Sequence, residues 1–253
     1  KQLLASSFPF PSNFGWGFLI LFVALSIGIL TYFGFRVKEI DLTQKQRTIQ
    51  DFIHETKTIL TTNRNFRRYI YSRIFLTAQF PAIGLYAVYS RDIFHFDISE
   101  AGLLTAARLV AFGFGSIVAG RIGDKIGHKA AMTFCFTSHV FAIATALSVQ
   151  SMFWVYGIFV FLGMAQGAFF PAAMSIVFDF AGEKGDNKMI MALIDTILSP
   201  FILIAIIAGG ILSESVGFVI LFRVLGALML AGLFIIIFLV REPHYETNLS
   251  KNL

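Results

Sequence analysis

The sequence predicts an all-α fold, a polytopic bundle of transmembrane helices, and three observations carry that expectation. Of 253 residues, 57% are hydrophobic and 14% charged, with a mean hydropathy of +0.76. Soluble domains sit near 45–50% apolar and about 25% charged, because polar groups must cover their surface. An excess this large points to lipid as the solvent. Second, apolar runs of about 20 residues recur, the length that crosses about 30 Å of hydrocarbon at 1.5 Å per residue. Third, basic residues crowd into alternate connections between those runs.

Seven spans are expected, at about residues 14–35, 69–89, 99–120, 130–149, 152–178, 189–212 and 216–240. The runs lack the two-residue alternation of barrel strands and are about twice the length such a strand needs. Helices satisfy their own backbone in lipid. The chain opens on Lys1 and soon reads Phe8-Pro9-Phe10-Pro11, with no secretory signal pattern. Residues 1–13 therefore read as an outer loop remnant within a longer protein, followed by a first span at 14–36. Residues 37–68 form a polar linker before a six-helix unit at 69–240, and 241–253 are a tail. In the linker, Ile49, Phe52, Ile53, Ile59 and Leu60 follow helical spacing, so an amphipathic helix on the membrane surface is expected. Thr43 and Gln46 offer it a capping box.

Fifteen of the twenty lysines and arginines fall in the linker, in the turn after the third span, after the fifth span and in the tail. Inner loops collect lysine and arginine, so that side is read as cytoplasmic, with the amino terminus outside and the carboxyl terminus inside. The single cysteine, Cys135, excludes an internal disulfide and a cysteine metal cluster. His54, His95, His128, His139 and His244 are scattered and suggest no metal set and no nucleophile–base pair. No Gly-rich nucleotide loop appears. No catalytic residue, metal or cofactor is expected, and the net charge of +5 tracks membrane topology, not nucleic-acid binding.

Between the third and fourth spans the sequence reads Gly120-Arg121-Ile122-Gly123-Asp124-Lys125-Ile126-Gly127-His128-Lys129. Gly120 would admit a neighbouring helix, Gly127 a turn closed to bulkier residues, and Asp124 could be held by a helix amino terminus or an arginine. This stretch resembles the major facilitator superfamily, whose inner loops carry Gly-x-x-x-Asp-(Arg/Lys)-x-Gly-(Arg/Lys)-(Arg/Lys). His128 stands where that family has a fixed cation. The entries Asn65-Phe66-Arg67-Arg68-Tyr69-Ile70 and Ile98-Ser99-Glu100-Ala101-Gly102 look like the starts of the family's seventh and eighth helices. The resemblance implies the second six-helix half of such a transporter, preceded by the last helix of the first half. It implies a gating loop built on Gly120, Arg121, Asp124, Lys125, Gly127 and Lys129, with the partner of Asp124 on the other half.

Ionisable groups at membrane depth are functional candidates by default. Arg108 lies roughly 14 Å into the third span, sharing a face with Thr105 and Phe112. Asp195 lies roughly 9 Å from the inner end of the sixth, one turn before Ser199 and Pro200, where a broken helix could build a site. It is read either as a proton carrier or as a partner for Arg108. Gln79, with Ile83 and Tyr86, and Gln166, with Phe170, are expected on spans that the family uses to line its cavity. His139, Arg223 and Arg73 are set aside, Arg73 as a residue that snorkels to the inner surface.

The reading is a secondary transporter of the plasma membrane that moves a small organic solute by alternating access, proton-coupled efflux being one mode it allows. Its other partners are the bilayer and the remaining half of the protein. The alternatives are a channel-type or structural subunit and an intramembrane enzyme.

Overall fold

The computed structural model describes residues 12–32, 34, 48–181 and 187–242. Among these every element is a helix: α1 (Ser12–Tyr32), α2 (Ile49–Thr62), α3 (Arg64–Leu76), α4 (Gln79–Phe94), α5 (Ile98–Ile126), α6 (His128–Leu147), α7 (Met152–Ala181), α8 (Asn187–Ser215) and α9 (Phe218–Phe234). Five stretches are long and apolar enough to cross a membrane: Glu100–Ile126, His128–Leu147, Met152–Ala181, Asn187–Ser215 and Phe218–Leu239. A shorter apolar stretch, Phe18–Thr31, lies in α1. Past Phe234 the last helix widens to i→i+5 bonding over Ile235–Leu239, ending with Val240 N–H on the Ile235 carbonyl at 3.1 Å.

The second expected span is divided. Pro81 has no N–H to give the Thr77 carbonyl, which accepts from Phe80 at 3.0 Å instead. Thr77 and Ala78 likewise bond only three residues back, to Ile74 and Phe75. The helical path therefore tightens to i→i+3 bonding between α3 and α4, with Thr77 and Ala78 still in right-handed helical conformation. The break expected near Pro200 does not occur. Both α7 and α8 run unbroken through Pro171 and Pro200. Beside Pro200, the Ser199 hydroxyl donates to the Asp195 carbonyl at 2.7 Å.

The core of the bundle is apolar and aromatic. Phe66, Tyr69, Tyr86, Phe136, Leu162 and Phe222 are fully buried, and Phe66 meets Phe180 edge-on with centroids 5.1 Å apart. On the outside of the bundle Phe153, Val110 and Leu203 are exposed, as lipid-facing side chains are. The linker helix forms as expected, but its capping box is one turn later. Thr48 N–H donates to Asp51 Oδ2 at 3.0 Å, while Thr43 and Gln46 lie outside the described residues. Ile49 and Ile53 are 77% and 60% exposed, an apolar edge suited to a membrane surface. Far apart in sequence, Asn65 and Arg241 exchange two hydrogen bonds, Nδ2 to carbonyl at 3.0 Å and N–H to Oδ1 at 2.8 Å. That pair ties the start of α3 to the end of α9.

The topology is open to direct measurement. Cys135 is fully buried and can be replaced by alanine. Single cysteines at Thr61 and Asn187 should then react with an impermeant thiol reagent only from the cytoplasm, and one at Asp97 only from outside. Labelling at position 97 from inside would overturn the orientation.

Candidate functional site

The basic Gly120–Lys129 motif is mostly helix. α5 continues through Gly120, Arg121, Asp124 and Lys125 to Ile126, and the connection to α6 is one residue, Gly127 at φ 127° and ψ 158°. Only glycine tolerates that backbone, as the sequence suggests. It reverses the chain so abruptly that the first N–H groups of α6 face the end of α9. Unpaired N–H groups at a helix start attract an anion, and here the anion is Glu242. Its carboxylate accepts from His128 N–H at 2.9 Å and from Lys129 N–H at 3.2 and 3.3 Å. The Lys129 ammonium donates to the Ile237 carbonyl at 2.8 Å.

The sequence allows a helix amino terminus or an arginine to hold Asp124, and among the described residues neither does. Asp124 is exposed on the last turn of α5, and among the described residues it has no hydrogen-bond or ion-pair partner. Gly120, one turn earlier on the same face, is not in close helix contact. A Cβ built there would meet nothing within 4 Å. Among the described residues, glycines at which a Cβ would strike the backbone of a neighbouring helix are Gly115, Gly163 and Gly167. A Cβ on Gly163 would run into the Arg108 carbonyl, and one on Gly167 into the Phe112 carbonyl. The Ser116 hydroxyl crosses this seam to the Gly167 carbonyl at 2.9 Å.

Three expected site residues lie on the two helices of the α5–α7 seam. Arg108 is half-buried on α5, directly over Gly163, and Gln166 and Phe170 follow on α7. Phe170 is exposed and packs on Phe112 with centroids 6.0 Å apart. Arg108 makes no ion pair or hydrogen bond among the described residues. Asp195 and Ser199 are exposed on α8, outside ion-pair reach of Arg108.

Gln79 and Tyr86 do not open onto a cavity. Both are buried, Tyr86 stacked on Phe222 with centroids 5.2 Å apart. The Gln79 Oε1 lies 3.0 Å from His139 Nε2. Helical spacing places Gln79 and Tyr86 on one face without saying which way that face looks, and it looks inward at α6 and α9. Arg73 also departs from expectation. It is only 8% exposed, bonded through Nη1 to the Tyr69 hydroxyl at 2.9 Å, with its guanidinium 4.7 Å from the centre of the Phe169 ring. Aromatic faces, not the inner surface, receive its charge.

The family model of the Major Facilitator Superfamily matches residues 69–252. The chain belongs to the major facilitator superfamily. A search of curated proteins finds no match. Members of the superfamily are transporters rather than enzymes. The two residues of this major facilitator chain that the sequence reading passed over at the turn are Glu242 and Asp179. Asp179 Oδ2 lies 2.6 Å from His128 Nδ1. Their signal was faint: each is an acidic residue just past an apolar run on the basic side of the chain.

Proposed function

We propose that the chain is the second half of a secondary transporter of the plasma membrane, moving a small organic solute by alternating access. The observation that carries this reading is Arg108. It is a half-buried cation about 15 Å along α5, unpartnered among the described residues, beside the Gln166 and Phe170 face of α7. A cation at that depth is costly unless a ligand or a carboxylate meets it. An amide, a ring face and a guanidinium together suit an amphipathic solute carrying a negative group. Asp195, exposed on α8 with Ser199 one turn on, is the residue assigned to proton coupling, and the carboxyl terminus is assigned to the cytoplasm.

The inner turn is assigned to gating. Gly120 and Asp124 share an open face at the end of α5, shaped for a helix from the other half of the transporter, while Arg121 and Lys125 stay exposed beside them. Gly127, Glu242 and Lys129 hold the turn that presents this face. Alternating access rocks the halves about a site near the membrane midplane, and the turn's face would close only in one of the two states.

The test is transport by the full-length protein in proteoliposomes against a panel of organic solutes, with and without a proton gradient. Asp124→Asn should lower the uptake rate at least about tenfold while leaving the amount of folded protein in the membrane unchanged, as loss of a contact worth 1.4 kcal/mol would. Parental uptake by Asp124→Asn would mean that the turn plays no part in gating.

A further inference from the structure

The geometry points to a divalent transition-metal site of the zinc class at the inner surface, formed by His128, Asp179 and Glu242. Their ligand atoms, one imidazole nitrogen and two carboxylate oxygens, all lie within 4.8 Å of one another, and all three residues are half-buried. Zinc–nitrogen and zinc–oxygen bonds of 2.0–2.2 Å put tetrahedral ligand atoms about 3.3–3.6 Å apart. The three atoms therefore need only small side-chain shifts: the 2.6 Å His128–Asp179 contact opens slightly and Glu242 closes slightly. One imidazole with two carboxylates suits Zn²⁺, Co²⁺ or Mn²⁺. It is a poor match for Ca²⁺, which takes six to eight oxygens.

The site is built by the turn. A Cβ on Gly127 would stand 2.6 Å from the Glu242 carboxylate, and one on Gly123 would stand 3.0 Å from the His128 ring. Both groups occupy space that glycine alone leaves. The N–H groups of His128 and Lys129 already orient the Glu242 carboxylate, the outer-shell support that fixes ligands in metal sites. The Lys129 ammonium is engaged by the Ile237 carbonyl and neutralises neither carboxylate. The sequence conceals the set, because His128 is 51 residues from Asp179 and 114 from Glu242. His128 is also the residue by which the motif departs from the basic pattern of the family. With lysine or arginine there, the site would lack its nitrogen. A bound ion would join the start of α6, the end of α7 and the segment after α9, fixing the inner turn whatever solute is carried.

The test uses the full-length protein in lipid nanodiscs, without a polyhistidine tag, with His54, His95 and His244 replaced by asparagine. Titration with Co²⁺ should show one equivalent bound, with the intense visible absorption of a low-coordinate ion. His128→Gln, Asp179→Asn and Glu242→Gln should each weaken binding at least about tenfold, since outer-shell changes alone cost 10–100-fold. Absence of stoichiometric Co²⁺ binding, or an affinity of His128→Gln within about twofold of the parent, would overturn the site. Should a variant fail to fold, carbethoxylation of His128 in the parent, read by mass spectrometry, decides: protection by Zn²⁺ supports the site and equal modification with and without Zn²⁺ overturns it.

Discussion

Arg108→Met should abolish transport in the full-length protein while inserting into the membrane at least as well as the parent. An arginine at the helix centre costs about 2.5–3.5 kcal/mol on insertion scales, so a structural arginine there would be replaced at a gain. Its position makes a purely structural role hard to support. The backbone of Arg108 lies against Gly163, yet no carboxylate lies within ion-pair distance among the described residues. Asp195, the sequence's own candidate partner, is exposed on a different helix. The guanidinium is left for a solute carboxylate or for an acid supplied by the other half. Arg108→Lys keeps the charge but not the planar fork, and should retain partial transport with a raised apparent KM. Parental transport by Arg108→Met would remove the α5–α7 path from the mechanism.

Gly167→Leu should unfold the bundle. A Cβ at position 167 collides with the Phe112 carbonyl, and backbone cannot rotate away as a side chain can. α5 would have to move off α7, breaking the Ser116 hydrogen bond to Gly167 and separating Gly163 from Arg108 as well. Overpacking of this kind costs about 3 kcal/mol. The measurement is thermal unfolding in detergent, with size-exclusion chromatography reporting aggregation. Gly113→Ala is the matched control, because a Cβ there meets nothing within 4 Å, and helix propensity makes it neutral to stabilising. Equal stability of Gly167→Leu and the parent would show that the seam is not closely packed.

What the sequence disclosed and what it hid separate along physical lines. Length and hydropathy depend on the solvent, so the helical class and five of the expected spans were legible from composition and run length. The glycine at 127 was legible because a positive φ has one cheap occupant. The direction in which a helix faces was not. Gln79 and Tyr86 share a face with the expected spacing, but the hydrogen bond to His139 and the ring of Phe222 turn that face inward. Arg73 was misplaced because its remedy is aromatic and lies on α7, which no local pattern announces. Pro81 and Pro200 look alike as residues. The first tightens its helix at Thr77–Ala78, and α8 accommodates the second. The Glu242 contact joins residues more than a hundred positions apart, a pairing set by the chain after α9 returning to the start of α6.

The tightened turn at Thr77–Ala78 also bears on how the protein is made. α3, with 13 residues, and α4, with 16, measure about 20 and 24 Å, and neither alone crosses about 30 Å of hydrocarbon. Joined through the right-handed helical backbone of Thr77 and Ala78, the two pieces together reach about 45 Å, enough to cross. α3 carries Arg64, Arg67 and Arg68 in its first turns and Arg73 further in. The guanidinium at position 73 finds the ring of Phe169 only once α7 has been synthesised, nearly a hundred residues later. The seat of Arg73, begun by Tyr69 on its own helix, is thus completed by a helix made much later.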